Sequence, residues 1–423
     1  MGKKTGVFWG WFVVGGAFGM LCLTYGARYS FGVFVRPMFL EYDWSMSVIS
    51  LGASVNLVVY AITGIFTGRL LDRIAPRWIM TMGIVTMTLG FIMVGFTKTP
   101  LGFYLSYGVL GGLGAGCAGM VVNGAAVGKW FIRKRGVAIG ISSMGIGIGT
   151  MVMSPLAGYI VKHHSWRTGF LFVGGIIFVF GVLISQILMG KSTPEAIGLR
   201  PDGEKTNAEW ARPNTPVHTV KNISVAPLLK NVNFWILTIC CMTAGMVSMM
   251  AFVHEVAYAL SQGIEKVAAA SSLGILGISG ACGKFFFGWL SDRVKDAKYA
   301  ASLGNLVMAL GMYALLKADT VMGLYIFAMI FGFGYGSLAP LMPFLLADRF
   351  GRHILGSALG LLVFFVAGIG GGIGPFLGGL IFDVTGSYAY AWQFNIAIMG
   401  AVSVLILVLK PREKAARPTI GDH

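Results

Sequence analysis

Gly68-Arg69-Leu70-Leu71-Asp72-Arg73-Ile74-Ala75-Pro76-Arg77 is a short basic stretch between two long apolar runs. Its core, Gly-x-x-x-Asp-Arg, returns 220 residues later as Gly288-Trp289-Leu290-Ser291-Asp292-Arg293. Other blocks keep the same offset: Gly112, Gly114 and Gly116 match Gly332, Gly334 and Gly336, and Gly136, Pro155 and Gly158 match Gly356, Pro375 and Gly378. Single glycine matches come easily among 62 glycines, but three blocks at one offset, one of them holding an Asp-Arg pair, mark a duplication.

Apolar runs surround each copy. Of 423 residues, 56% are hydrophobic and only 11% charged, against about 25% charged in a soluble domain. Twelve runs approach the ~20 residues needed to span hydrocarbon: roughly 8–35, 45–71, 76–97, 101–128, 135–160, 166–189, 232–260, 267–291, 297–316, 321–347, 354–381 and 388–409. Lipid offers no hydrogen bonds to the backbone, so these runs are predicted to be helices. One long polar segment, from about Gly190 to Lys230, carries Pro194, Pro201, Pro213, Pro216 and Pro227. The expected organisation is a bundle over 1–190, a cytoplasmic linker over 191–230, and a second bundle with a short tail over 231–423. Six spans per half keep equivalent segments in the same orientation, which makes this a parallel repeat about an axis along the membrane normal.

The net charge of +16 suggests nucleic acid until its placement is read. Twenty-four of the 32 Lys and Arg fall in segments sharing one side, and six (Arg36, Lys98, Lys162, Arg167, Lys266, Lys317) fall on the other. That asymmetry is the positive-inside rule. It places both termini in the cytoplasm and accounts for the basic excess through topology and anionic lipid. Cys22, Cys117, Cys240, Cys241 and Cys282 all lie within spans and read as packing residues, neither metal ligands nor disulfides. The first apolar run is too long for the core of a cleavable signal peptide.

Two six-span halves, a long central loop and the 68–77 stretch resemble the major facilitator superfamily, whose signature there is G-x-L-x-D-R-x-G-x-R; Leu70 fits it and Ala75 replaces its glycine. Three further stretches resemble the monocarboxylate porter and oxalate/formate antiporter group. They are Tyr29-Ser30-Phe31-Gly32-Val33-Phe34 followed by Asp43-Trp44-Ser45, Lys129-Trp130-Phe131-Ile132-Arg133-Lys134-Arg135-Gly136-Val137-Ala138-Ile139-Gly140, and Phe252-Val253-His254-Glu255-Val256-Ala257-Tyr258-Ala259. The resemblance implies an all-α membrane fold of two six-helix bundles related by a pseudo-two-fold axis, and alternating access. The repeated pairs Asp72–Arg73 and Asp292–Arg293 then suit a cytoplasmic gate whose ion pairs break and remake as the halves rock.

Ionisable groups inside a span are costly and mark function by default. Here they are Arg28, His254, Glu255 and Lys284. Lys284 shares a helical face with Gly277 and Gly280, which leaves space beside its ammonium. In the resembled group a cation, usually arginine, stands there and pairs with the substrate carboxylate. A lysine acts as a point charge where arginine grips a carboxylate bidentately, so lactate-type selectivity does not transfer directly. Snorkelling to the interface is the alternative role for Lys284, and an outer-vestibule position that for Arg28. Arg28 has Tyr25 and Tyr29 beside it, and Tyr335 interrupts a glycine ladder where the first half has Ala115. Asn123 and the apolar Phe364 complete the expected substrate contacts, with packing as the competing role for Tyr335 and Asn123. His254 or Glu255 is a candidate proton carrier, because histidine titrates near neutrality and a buried glutamate holds its proton. Animal members of the group place an aspartate one turn before the helix 8 cation; Gly280 stands there in this chain, so their proton route does not carry over.

The resembled dicarboxylate carriers hold a second cation on the eleventh span, and Leu361–Gly370 contains none. These features point to a secondary transporter of a small, lactate- or pyruvate-like monocarboxylate, proton-coupled, with no cofactor. A monomer in the plasma membrane, the inner membrane of a bacterium by its compactness, fits best. Carboxylate exchange and drug efflux remain alternatives, the latter because the interior is rich in Phe and Met. A transporter-like sensor would need a signalling domain. No nucleophile–base set and no P-loop point to an enzyme or an ATP-driven pump.

Overall fold

The computed structural model describes residues 8–71, 74–131, 135–203, 226–350 and 355–410. Twelve of its helices are long and apolar enough to cross a membrane. They are α1 Trp9–Tyr42, α2 Met46–Thr67, α3 Pro76–Phe96, α4 Pro100–Trp130, α5 Val137–His163, α6 Trp166–Ile187, α7 Val232–Ser261, α8 Lys266–Ser291, α9 Ala297–Leu316, α10 Val321–Phe350, α11 Ala358–Thr385 and α12 Ala389–Val408. Each coincides with one of the twelve apolar runs. α1 continues seven residues past the expected end because it bends and re-forms as Gly32–Tyr42, with Pro37 inside, and stops where Asp43 takes a left-handed φ of 55°. Polar side chains start several spans: Thr99, Ser165, Asn231, Glu265 and Thr320 each accept a backbone N–H of the first turn. Such caps satisfy donors that the helix leaves open.

The duplication reappears as packing. A Cβ on Gly112 would lie 2.7 Å from the Asn56 carbonyl oxygen, and one on Gly332 would lie 2.5 Å from that of Leu276. Gly116 meets the Tyr60 carbonyl and Gly336 that of Gly280 in the same way. So α4 seats on α2 as α10 seats on α8, through glycines that let backbones touch. The repeat is not complete. α4 has a π-helical stretch at Tyr104–Leu110 and a break at Gly119, whereas the second π-helical stretch, Phe364–Gly370, lies in α11.

Among the described residues, three pairs of spans carry most of the contact between the halves. Gly147 of α5 and Gly277 of α8 face each other backbone to backbone, Gly379 of α11 rests on the Met46 backbone of α2, and Gly32 of α1 meets the Phe252 carbonyl of α7. At the end remote from the termini two polar contacts close the seam. Asp383 accepts the backbone N–H groups of Met46 and Ser47 at 2.8 Å each, and Lys162 pairs with Glu265 at 2.7 Å. At the terminal end, Met120–Trp130 of α4 and Leu338–Phe350 of α10 pack within their own halves. Added Cβ atoms at Gly124, Gly140 and Gly360 would meet nothing within 4 Å there. The seam is closed away from the termini and loosens toward them.

Asp72 and Arg73 lie outside the described residues, as does the side chain of Asp292. Arg293 is exposed, with its guanidinium 4.7 Å from the Trp289 ring. A different pair ties that end of the second half: Arg349 of α10 donates to both carboxylate oxygens of Asp296 at 2.6 and 2.5 Å. Its repeat mate, Lys129, donates to the Leu71 carbonyl at 3.1 Å.

Candidate functional site

Arg28 lies midway between the two ends, on α1 just before its bend, and is 6% exposed. A buried cation is expensive unless something answers its charge. No carboxylate does so among the described residues. Arg28 Nε donates to Asn56 Oδ1 at 3.1 Å, and the guanidinium carbon stands 4.2 Å from the Tyr60 ring and 5.6 Å from the Tyr25 ring. The phenols of Tyr25 and Tyr60 share a hydrogen bond of 2.7 Å, which fixes both rings. Cation–π contact in a desolvated site is worth about 2 kcal/mol or more. That eases the burial of the charge without neutralising it.

The second half closes this box. Tyr29 stacks on Phe252 of α7 (4.6 Å between centroids, 13° between planes), and Phe252 meets the Tyr335 ring of α10 edge-on at 5.4 Å. Tyr335 lies within electrostatic reach of Arg28, Tyr25, Tyr29 and Tyr60. A pocket between the halves is lined by Arg28, Tyr29, Phe31, Asn56, Tyr107 and Phe252, among others. Three of the residues singled out from sequence, Arg28, Tyr29 and Tyr335, therefore come together.

Lys284 stands apart from this box. It is half-buried on α8, one turn beyond Gly280, against which the Tyr335 ring packs at 3.6 Å from an added Cβ. It has no hydrogen bond or ion pair with a described residue. Phe364 lies in the π-helical stretch of α11, one turn before Gly368, which meets Ala61 of α2.

Asn123 folds back on its own span. Its amide donates to the Ala118 and Gly119 carbonyls at 2.8 and 2.9 Å, bridging the break in α4, while its own buried oxygen has no partner. His254 is fully buried and fully engaged. Its Nε2 lies 2.8 Å from the Pro375 carbonyl and 3.2 Å from Ser50 Oγ, and its Nδ1 lies 3.1 Å from the Tyr388 hydroxyl. A carbonyl only accepts, so Nε2 carries the hydrogen, while Nδ1 shares a hydrogen bond with the Tyr388 hydroxyl. The imidazole ties α7 to α2, α11 and the start of α12. Glu255 is also fully buried: Ser272 Oγ lies 3.0 Å from Glu255 Oε1, and Glu255 Oε2 has no partner.

Sequence reasoning missed Asn56, Tyr60, Tyr107 and Asp383. The repeat offset held a signal for two of them, because Asn56 and Tyr60 stand where the second half has Leu276 and Gly280. Nothing in the sequence pointed to Asp383 capping a helix of the other half.

The family model described as Major Facilitator Superfamily matches residues 17–375, and again 297–422. Monocarboxylate transporter 12 of Mus musculus is 29% identical over 94% of this chain and 86% of its own length. Monocarboxylate transporter 13 of Bos taurus is 28% identical over 95% and 89%, and the uncharacterized MFS-type transporter YcxA of Bacillus subtilis is 25% identical over 94% of each. Among solved structures, a bacterial homolog of the human lysosomal transporter Spinster, inward-facing and unoccupied, superposes with a TM-score of 0.71 at 16% identity over 96% of each chain. The nucleoside transporter NupG superposes with a TM-score of 0.73 at 12% identity over 95% and 98%. These structures share the fold. With its twelve spans and a family match over most of its length, this integral membrane protein is a transporter rather than an enzyme, and the chain belongs to the Major Facilitator Superfamily.

Proposed function

We propose that the protein moves a small monocarboxylate across the membrane by alternating access, together with a proton. The observation that carries this reading is Arg28, a buried guanidinium with no acid partner among the described residues, in a pocket shared by both halves. A single carboxylate is the ligand that would answer its charge. The named relatives, monocarboxylate transporters at 26–29% identity, support the same class. Lys284, one turn from the Gly280–Tyr335 contact, would be a second cation for the anion to meet as it leaves. Tyr29, Tyr335 and Phe364 form the walls, and Asn123 acts by holding the break in α4.

For the proton we favour Glu255. Ser272 has one hydroxyl hydrogen, and its Oγ lies 2.6 Å from the Ala269 carbonyl and 3.0 Å from Glu255. If the hydrogen goes to the carbonyl, the carboxyl must donate, which requires Glu255 to be protonated. An acid without a cation partner, and with one oxygen unpartnered, suits the loaded form of a carrier. His254, with both nitrogens engaged, suits a structural tie. The halves 1–190 and 231–423 would rock about the 191–230 linker, with Asp72–Arg73 and Asp292–Arg293 among the contacts that remake at the terminal end. The Lys and Arg distribution supports cytoplasmic termini in the plasma membrane of a bacterium. In that orientation the structure is closed outward.

The test is uptake of labelled lactate, pyruvate, formate and oxalate into proteoliposomes, with and without an inward proton gradient. Accumulation of a monocarboxylate driven by the gradient is expected. Failure of every carboxylate to enter or compete removes the reading. Transport indifferent to the gradient but accelerated by internal carboxylate replaces symport with exchange.

A further inference from the structure

The π-helical stretch Tyr104–Leu110 breaks the regular ladder of α4, and the Tyr107 carbonyl within it accepts Asn56 Nδ2 at 2.8 Å. Gly111 makes room for that amide, since a Cβ there would lie 2.9 Å from Nδ2. A carbonyl accepts only, so the amide nitrogen must face Tyr107 and the amide oxygen must face Arg28. Asn56 is 2% exposed, and both ends of its amide are committed. A guanidinium offers a carboxylate two edges, the side edge through Nε and the end through its two terminal nitrogens. Asn56 holds Nε at 3.1 Å, Tyr60 covers one face, and the terminal nitrogens have no hydrogen-bond partner among the described residues.

We propose that Asn56 is a positioning residue that sets the anion geometry: it occupies the side edge of Arg28 with a neutral acceptor, so that a substrate carboxylate docks end-on against the two terminal nitrogens. This rests on Arg28 being the anion site. The neutrality of the acceptor is the essential property. An aspartate would occupy the same place, pair with the guanidinium and cancel the charge that the substrate must find. The repeat mate, Leu276, has no hydrogen-bonding side chain, and its half has Ser248 where Arg28 would be.

The experiment compares wild type with Arg28→Gln, Asn56→Asp, Asn56→Leu and Gly111→Ala, purified in detergent and checked for monodispersity and melting temperature. Binding is measured for formate, acetate, lactate and pyruvate, and for lactamide as the uncharged counterpart of lactate. Asn56→Asp is expected to lose carboxylate binding as fully as Arg28→Gln, while lactamide binding is retained. Asn56→Leu and Gly111→Ala, which free or displace the amide without adding charge, are expected to weaken carboxylate binding about tenfold. A merely structural role would lower carboxylate and amide together, and that result overturns the proposal. So does Asn56→Asp binding carboxylate within twofold of wild type while Arg28→Gln does not bind. If Asn56→Asp does not fold, wild-type affinity in both Asn56→Leu and Gly111→Ala overturns it. Unchanged binding by Arg28→Gln, or no carboxylate bound by wild type, removes the reading of the site itself, and this proposal with it.

Discussion

At positions 220 apart the two halves carry different side chains on the same scaffold. The first half offers Arg28, Asn56 and Tyr60, and the second offers Ser248, Leu276 and Gly280. Yet the backbones beneath them pack alike, Gly112 on Asn56 as Gly332 on Leu276, and Gly116 on Tyr60 as Gly336 on Gly280. The duplicated part is the scaffold, kept by glycines that admit close backbone approach. The chemistry sits where the repeat is broken. The same holds in reverse for Lys284 and Tyr335, which stand opposite Gly64 and Ala115. Each half contributes one cation, and their surroundings differ: Arg28 is enclosed and oriented, Lys284 half-buried and without a polar partner.

Removing the two cations in turn tests that comparison most directly. Arg28→Gln should weaken carboxylate binding by ~100-fold, since truncating one partner of a buried charge pair costs 2–5 kcal/mol. Lys284→Ala should cost no more than about fivefold and act mainly on exit rate, as expected for a half-exposed cation. If Lys284→Ala proves the more damaging in equilibrium binding, the site belongs to the second half.

The next effect is on coupling rather than affinity. Glu255→Gln should keep exchange of carboxylate across proteoliposomes while losing accumulation driven by a proton gradient. A variant still driven by the gradient would return the proton to another route. His254→Gln, by contrast, should lower thermal stability without abolishing the response to the gradient.

Smaller still is the cross-half cap. Asp383→Ala removes the acceptor for two backbone N–H groups at the start of α2, a change worth about 0.5–2 kcal/mol for a helix cap. It should raise labelling, from the side remote from the termini, of a cysteine placed at Ser50 by several-fold. The smallest effect belongs to Lys162–Glu265, whose side chains are 44% and 47% exposed. The hydrogen bond from Lys162, with help from the Ala268 and Val267 backbone, holds the Glu265 carboxyl below its ordinary value. A depressed carboxyl contributes above its unfolded value and loses that contribution as pH falls through the folded one. The pair should therefore act equally at pH 8 and pH 5.5, and Glu265→Gln should leave the pH profile of transport unchanged in that window. A shift there would assign Glu265 to the proton path.

Much of the molecule was legible in the chain. Apolar length called out all twelve spans, because a helix in lipid must be both long and continuous. The offset between Gly68–Arg73 and Gly288–Arg293 exposed the duplication before any packing was known. Residues that interrupt the pattern, Lys284 and Tyr335 above all and Arg28 with them, were visible as costs that needed a reason. Asn56 was not, because a single amide in a span has many ways to satisfy itself. Only the π-helical carbonyl of Tyr107 shows which one it uses. Asn123 and His254 looked functional in sequence for the same reason that Asn56 looked ordinary: polarity was visible, and its partner was not.

By itself the sequence determined the helices, their number, their repeat and the residues that must justify their place in lipid. These follow from local composition, since hydrocarbon penalises every unsatisfied or charged group wherever it falls. The tertiary structure decided which of those groups meet. It put Arg28, Asn56, Tyr107 and Phe252, from four spans, around one pocket, with Tyr60 and Tyr335 packed against that set, and turned His254 and Asn123 toward backbone carbonyls. That choice depends on bends, π-turns and glycine contacts that set helix rotation. A rotation of one residue, about 100° for a helix, redirects a side chain from pocket to lipid without changing the composition of its span.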